Sequence, residues 1–216
     1  MLLLRPPGVY PAQGDTALLL DVLGREPVPP DARCLDLGTG CGALALAAAR
    51  RGCRVTAVDV SRLSLATAWL NARLHRLPLR LRQGDLTGPV PAGRFDLVLS
   101  NPPYVPTDPA AAPHGGLARA WDAGPDGRLL LDRLCRQVPP LLAPGGVLLL
   151  VQSSLARPAA TVRQLRAAGL RAAVVARRLQ GFGPVMTARA PWFERAGLIE
   201  PGVRTEDLVV VRGVNA

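Results

Sequence analysis

The chain has 216 residues, 49% of them apolar, and a formal charge of +10 at neutral pH. That length suits one domain with a sizeable core, predicted here to span residues 1–216. No apolar run approaches the roughly 18 to 20 residues of a membrane span, and Met1-Leu2-Leu3-Leu4 is cut off by Arg5-Pro6-Pro7 before it could form a signal-peptide core, so a cytoplasmic protein is expected.

Residues 1–30 read as an N-terminal helical extension with one short helix over about Thr16–Leu23. Arg33–Asp36 opens a short apolar strand, followed by a Gly-rich turn and an Ala/Leu helix to about Arg51. Arg54–Asp59 is a second strand, and Ser61 is placed to N-cap a helix reaching about Leu74. Leu79–Gln83 and Phe95–Ser100 read as the third and fourth strands. After a long loop, Asp126 is predicted to cap a helix whose apolar face is Leu130, Leu131, Leu134, Cys135 and Val138. Pro144-Gly145-Gly146 turns into a buried strand over Val147–Gln152. A helix over about Pro158–Ala168, a strand over Arg171–Ala176 and a last strand over Leu208–Arg212 follow. Gln180–Pro201 fits no strand–helix–strand unit and reads as an insertion before the last strand. Its Phe182, Met186, Trp192 and Phe193 predict that it is packed. Seven strands with interleaved helices argue an α/β, doubly wound, mostly parallel sheet, because parallel neighbours need crossover helices.

Charge and cysteines narrow the field less. All 26 basic residues are arginine, which reads as a coding bias, although the excess charge would attract an acidic partner or nucleic acid. Arg73, Arg76, Arg80 and Arg82 form the densest cluster and read as a solvated face. Cys34, Cys41, Cys53 and Cys135 form no Cys-x-x-Cys pair, and neither His75 nor His114 is spaced as a ligand beside them. Buried reduced thiols are expected, with no metal site and no disulfide framework.

The first strand runs into Asp36-Leu37-Gly38-Thr39-Gly40-Cys41-Gly42. Glycines just past a strand's carboxyl end permit a tight turn and a close backbone approach to a ligand. The Gly38-x-Gly40-x-Gly42 spacing is not the Gly-x-Gly-x-x-Gly of dinucleotide sites, and alone it could be a purely structural turn. The acids add what the loop lacks. Asp36 can pair with a ligand's ammonium group, Asp59 can accept both hydroxyls of a ribose, and Asp85 can accept from an adenine amino group while Leu86 covers the ring. Each acid alone could be a cap or turn residue. Together, at three successive strand ends, they describe a ligand with an adenosine and a cationic amino acid: S-adenosylmethionine. The phosphate-binding Lys of a P-loop is impossible in a chain without lysine.

After the fourth strand comes Asn101-Pro102-Pro103-Tyr104. Methylating an amide or exocyclic amine needs help because its lone pair is delocalised. The Asn101 side-chain oxygen and the Pro102 carbonyl can each accept one hydrogen of a target NH2, which fixes its orientation toward a methyl donor. Pro102 and Pro103 stiffen the loop, and Tyr104 can offer a face for stacking a planar group. A bare turn would explain Asn-Pro-Pro by itself; after a strand of a sheet already carrying the cofactor acids, the chemical reading is preferred.

These motifs together resemble the HemK-related methyltransferases, whose Asn-Pro-Pro-Tyr motif is shared with amino-methylating DNA enzymes. More similar still is the short branch without a separate N-terminal helical domain, which includes the glutamine methyltransferase of eukaryotic release factors. The resemblance covers about residues 9–178. It is carried also by Val9-Tyr10-Pro11-Ala12, Asp15-Thr16-Ala17-Leu18-Leu19, His114-Gly115-Gly116-Leu117, Ala120-Trp121, Gly124, Gly127-Arg128 and Asp132-Arg133. It implies a Rossmann-like class I methyltransferase fold whose last strand is antiparallel. It assigns cofactor contacts to Thr16, Asp36, Gly38, Asp59, Asp85, Leu86 and Asn101, beside Gly40 of the same loop, and substrate binding to Asn101, Pro102, Pro103 and Tyr104. Two features depart from the family pattern: Gln13-Gly14 stand where an acidic pair is common, and Gln180–Pro201 lengthens the region before the last strand.

The leading expectation from the resemblance is methylation of a protein glutamine nitrogen, of the kind found in a release factor's Gly-Gly-Gln loop. Some members of this branch work with a small zinc-binding subunit, which raises an activating partner as one reading. A nucleic-acid amino methyltransferase, acting on adenine N6 or cytosine N4, is the alternative favoured by the charge; few aromatics are available to hold a flipped base. A small-molecule N-methyltransferase with Gln180–Pro201 as its lid is a third reading. A non-catalytic nucleotide-binding scaffold would have no need of Asp59, Asp85 and Asn101 together.

Overall fold

The computed structural model describes residues 2–90, 93–110 and 121–216. The His114-Gly115-Gly116-Leu117 and Ala120 part of the resemblance lies outside the described residues. The elements in chain order are α1 (Gly14–Arg25), β1 (Arg33–Leu37), α2 (Ala43–Arg50), β2 (Arg54–Asp59), α3 (Arg62–Leu74), β3 (Leu79–Gln83), β4 (Phe95–Ser100), α4 (Leu129–Gln137), β5 (Leu142–Ser153), α5 (Pro158–Ala167), β6 (Leu170–Gly181), α6 (Pro184–Arg195) and β7 (Thr205–Asn215).

The strands form one seven-stranded sheet in the order β3-β2-β1-β4-β5-β7-β6. β1 to β5 pair in parallel, and only β7 runs against its neighbours β5 and β6. The strand order reverses between β1 and β4, so the two chain directions part there and leave a crevice above their carboxyl ends. Central β1, β4 and β5 are buried on both faces and mostly apolar, as strands covered by helices on both sides tend to be. Leu35, Leu37, Leu97, Leu99, Leu149 and Phe95 are fully or almost fully buried there.

Several element boundaries differ from those the sequence predicts. Asp126 does not cap α4: it accepts the Arg128 N–H at 3.1 Å in a local turn, and the helix begins beyond it at Leu129. Pro144-Gly145-Gly146 lies within β5 and not before it. Pairing jumps from Phe95↔Leu142 to Leu97↔Val147, so the turn residues bulge out of a longer strand. β6 and β7 run on to twelve and eleven residues because they pair with each other from Leu170↔Asn215 to Gly181↔Thr205. The predicted insertion therefore begins inside β6 and holds α6, which places Met186, Ala190 and Phe193 in a buried stripe. Phe193 meets the Phe182 ring edge-on at 6.3 Å and the tilted Trp192 ring at 5.5 Å. This segment is packed, as its aromatics predict.

The four cysteines are buried and free. Burial pushes the Cys135 thiol up to about 11, and Cys34 also well above its usual range. No metal-ligating group of His, Cys, Asp or Glu occurs among the described residues, and among them no helix is long and apolar enough to cross a membrane.

Candidate cofactor and acceptor site

Parallel register brings the chemistry-bearing loops side by side. Leu37, the last residue of β1, pairs with Val58 on one flank and Ser100 on the other, and Asp59 pairs with Gln83. The loops after β1, β2, β3 and β4 consequently leave the sheet along one carboxyl edge. Between them lies a cavity of about 480 Å³, within the roughly 300–1,000 Å³ range of small-molecule sites.

The floor is the glycine loop. Gly38, Gly40 and Gly42 all adopt positive φ. Gly42 has a second reason to lack a side chain: an added Cβ would lie 3.1 Å from the Ala68 Cβ and press the start of α2 away from α3. Asp59 fixes the same loop by accepting the Gly40 N–H at 2.9 Å on Oδ2 and the Ser61 N–H at 2.8 Å on Oδ1. Each oxygen has a further lone pair for a hydroxyl. Burial raises the Asp59 carboxyl above its ordinary range, while the backbone donors, Ser61 first, act in the opposite direction.

Asp85 and Leu86 form the wall beyond β3. Arg133 of α4 holds Asp85 through an Nη2–Oδ2 ion pair of 2.7 Å, and Leu130 of the same helix reaches the cavity. Leu86 takes a left-handed backbone, φ 47°, and is 7% exposed on the cavity wall. The sequence expects Asp85 and Leu86 here; it gives no sign that Arg133 orients the acid.

Asp36 stands elsewhere than expected. It is fully buried beneath the loop, and the cavity wall does not include it. Its Oδ2 accepts the Thr39 hydroxyl at 2.7 Å and the Ala45 N–H at 3.1 Å, while Oδ1 has no partner among the described residues. Desolvation pushes this carboxyl up to about 7, against the lowering effect of Thr39 and Ala45. In place of a direct ammonium contact, the structure has Asp36 supporting Thr39, which does line the cavity.

On the opposite wall, Thr16, Asn101 and Pro103 line the cavity, whereas Pro102 and Tyr104 are buried behind them. The Asn101 Nδ2 donates to Thr16 Oγ1 at 3.1 Å, and its Oδ1 accepts from none of the described residues. Tyr104 corrects a second expectation. Its ring is 8% exposed, off the cavity wall, and its hydroxyl donates to Asp15 Oδ2 at 2.9 Å. No stacking platform is offered; Tyr104 anchors the loop to α1. Tyr10 donates to the same Asp15 oxygen at 2.8 Å. Nothing local in the sequence marks Tyr10 and Asp15 for this role, since only the fold brings them to Tyr104.

The chain that follows the Asn-Pro-Pro-Tyr loop is also tied down. The Val105 N–H donates to the Trp121 carbonyl at 2.9 Å and the Thr107 N–H to the Gly124 carbonyl at 2.9 Å. From α6, Arg189 donates to the Pro106 carbonyl at 3.0 Å and to Thr107 Oγ1 at 3.1 Å, and pairs with the Asp122 carboxylate. No residue of 180–201 lines the cofactor-sized cavity.

Comparison with known proteins agrees with this architecture. Residues 2–112 match the family model described as the methyltransferase small domain. A putative protein N5-glutamine methyltransferase of Methanocaldococcus jannaschii is 33% identical over 189 residues, covering 85% of this chain and 92% of the relative. The release factor glutamine methyltransferase of Rhodospirillum rubrum is 44% identical over 125 residues, covering 54% of this chain; that stretch is 38% of the longer relative. Among solved structures, the E. cuniculi Mtq2–Trm112 complex, responsible for methylating the translation termination factor eRF1, contains a chain with TM-score 0.67 at 22% identity. The match covers 97% of this chain and 99% of that one, a likeness of fold.

Proposed function

The chain belongs to the methyltransferase small-domain family, and we propose that it methylates the side-chain nitrogen of a protein glutamine, with S-adenosylmethionine as donor. One observation carries this reading. Asn101 spends its NH2 on Thr16, so its amide oxygen is left to accept from a substrate, on the wall of the cavity that also holds Asp59 and Asp85.

The residues fit the cofactor by their donor and acceptor chemistry. Asp59 has lone pairs for ribose hydroxyls, Asp85 is braced for an adenine amino group with Leu86 against the ring, and the Gly38–Gly42 loop admits close backbone contact. Asp36, buried beneath Thr39 with its Oδ1 unpaired among the described residues, is the acid that would ionise below an amino-acid ammonium. When bound, S-adenosylmethionine supplies a methyl group activated by its sulfonium. Asn101 Oδ1 accepts a hydrogen of the substrate amide NH2 and turns the nitrogen toward the donor, on a loop that the buried Pro102 stiffens from behind the cavity wall. Because this acceptor is fixed beforehand, little reorganisation is needed at the moment of transfer. Pro103 keeps the loop stiff, and Tyr104 holds it from behind.

A translation release factor in the cytoplasm is the acceptor we favour, from the names of the glutamine-methylating relatives. A small activating subunit, as Trm112 is paired with Mtq2, is part of the same proposal. Exposed apolar surface for it is present on α3 beside the β3 edge, at Trp69, Leu70 and Leu74.

A nucleic-acid acceptor is the second reading. Arg76, Arg80 and Arg82 form no ion pair among the described residues and lie together at this sheet edge. The deciding experiment incubates the pure protein with methyl-labelled cofactor and, separately, with release factors, DNA and RNA. Label on the glutamine of a Gly-Gly-Gln loop is the expected outcome. Label on a base and none on protein overturns the reading in favour of the second.

A further inference from the structure

Asp15 is 2% exposed in the first turn of α1, and no cation pairs with it among the described residues. Hydrogen bonds satisfy it instead. Its Oδ2 accepts the Tyr10 and Tyr104 hydroxyls, and its Oδ1 accepts the Thr16 N–H at 2.6 Å and the Thr16 hydroxyl at 3.3 Å. A threonine hydroxyl has a single proton. Spent on Asp15, it leaves Thr16 Oγ1 with lone pairs only, and the Asn101 Nδ2 donates to that oxygen at 3.1 Å.

The chain of bonds has a direction. An asparagine amide can sit in two orientations that differ by exchanging O and NH2. While Thr16 is committed to Asp15, the exchanged orientation would set Asn101 Oδ1 against a lone pair of Thr16 Oγ1. The Thr16 N–H and hydroxyl both need an acceptor, and a buried carboxylate supplies it without a choice of its own orientation.

We propose that Asp15 is a positioning residue: acting through Thr16, it sets which face of the Asn101 amide meets the acceptor. This rests on the reading of Asn101 as the acceptor-binding group. Asp15 touches neither substrate nor cofactor in this scheme. Its buried bonds to Tyr10 and Tyr104 keep it in place from the other side, so the loop of Asn101 and the start of α1 are registered by one carboxylate. An asparagine at 15 can keep its oxygen toward Thr16, whose N–H is a fixed donor, and turn its NH2 toward hydroxyls free to rotate. An alanine cannot.

The test has an arm that needs no acceptor. In the ligand-free wild type, the Asn101 side-chain NH2 should give one pair of amide resonances with a nuclear Overhauser contact to the Thr16 side chain. Asp15→Ala and Thr16→Val should weaken that contact and double or broaden the pair, whereas Asp15→Asn and Thr16→Ser should restore it. An unchanged pair in Thr16→Val overturns the proposal, and so does an unchanged pair in a folded Asp15→Ala. In the second arm, single-turnover transfer to a release factor at saturating cofactor should fall about tenfold or more in Asp15→Ala, a partial loss of a preorganised acceptor, with cofactor affinity retained. The double variant Asp15→Ala/Thr16→Val should be no slower than the worse single variant; additive losses mean the two residues act separately and overturn the relay. Asn101→Ala, run beside them, separates the two failures. If it transfers at the wild-type rate, the functional reading fails; if it is slow while Asp15→Ala is fast, only the relay fails.

Discussion

Gly14 packs against the side-chain amide of Gln180: a Cβ on Gly14 would stand 2.5 Å from Gln180 Oε1. These residues belong to the two places where the chain departs from the pattern it resembles, the Gln13-Gly14 pair and the segment from Gln180. The two departures thus meet in space. The bare Gly14 accommodates the Gln180 side chain, whose Nε2 donates to the buried Glu206 at 3.1 Å.

Gly14→Ala should accordingly change stability in a way that depends on Gln180. Alanine favours a helix over glycine by up to about 1 kcal/mol, but here its Cβ requires the Gln180 amide to swing aside. Where that movement breaks the Gln180 bond to the buried Glu206, the loss of about 1–3 kcal/mol offsets the helix gain. We expect no gain in melting temperature in the wild-type background and a clear gain in Gln180→Ala. Equal shifts in both backgrounds would show that the contact has no energetic weight.

Asp59→Ala should weaken S-adenosylmethionine binding at least tenfold in calorimetry. The variant removes the acceptor assigned to two ribose hydroxyls, at roughly 1.5–3 kcal/mol for a hydrogen bond to a charged group, and releases the Gly40 and Ser61 amides that shape the loop. Unchanged affinity would detach this strand end from the ribose.

Asn101→Ala should slow methyl transfer by about 10²- to 10³-fold, the usual cost of losing one preorganised hydrogen-bonding group. Cofactor affinity should drop by no more than a few-fold, since Asn101 sits at the far wall from Asp59 and Asp85. A turn-forming role predicts the reverse: a lower melting temperature with turnover per folded molecule nearly intact. Single-turnover rates paired with melting curves distinguish the two.

Asp36 should make the ligand-free protein less stable as pH rises. Burial holds its folded-state carboxyl near 7, whereas an unfolded aspartate titrates at about 3.9. Between those values the folded protein keeps a proton the unfolded chain has lost, so each step up in pH favours unfolding. The loss runs from about pH 4 to about pH 7 and then levels off. Asp36→Asn should flatten this part of the melting-temperature profile. Parallel profiles for the two proteins would mean that Asp36 is ionised, and solvated, when folded.

Arg189→Met should raise the Michaelis constant for the acceptor and leave cofactor affinity as it is. Arg189 reaches from α6 to Pro106, Thr107 and Asp122, beside the acceptor loop, and nothing in its segment lines the cofactor cavity. A folded Arg189→Met protein with impaired cofactor binding would place α6 in the cofactor site and refute the assignment.

The positions of Gly38, Asp59, Asp85, Leu86 and Asn101 were legible in the sequence because each lies within three residues of a strand's end. Strand ends can be read from short-range apolar patterning and glycine placement, and parallel pairing then gathers those ends on one edge. The reversal of β7 came with the family resemblance. Side-chain direction was a different matter. Tyr104 turns into the core because its hydroxyl meets an acid 89 positions away, and Asp36 withdraws beneath its loop because Thr39 and the first turn of α2 bond it from above. The lengths of β6 and β7 likewise depend on their pairing with each other, and α6 is oriented by Arg189 reaching a loop 67 to 83 positions earlier. Local patterning determines where backbone elements stop. Which buried donor satisfies which acceptor is decided only when distant segments are packed together, since a polar group removed from water must find its partner wherever the fold supplies one.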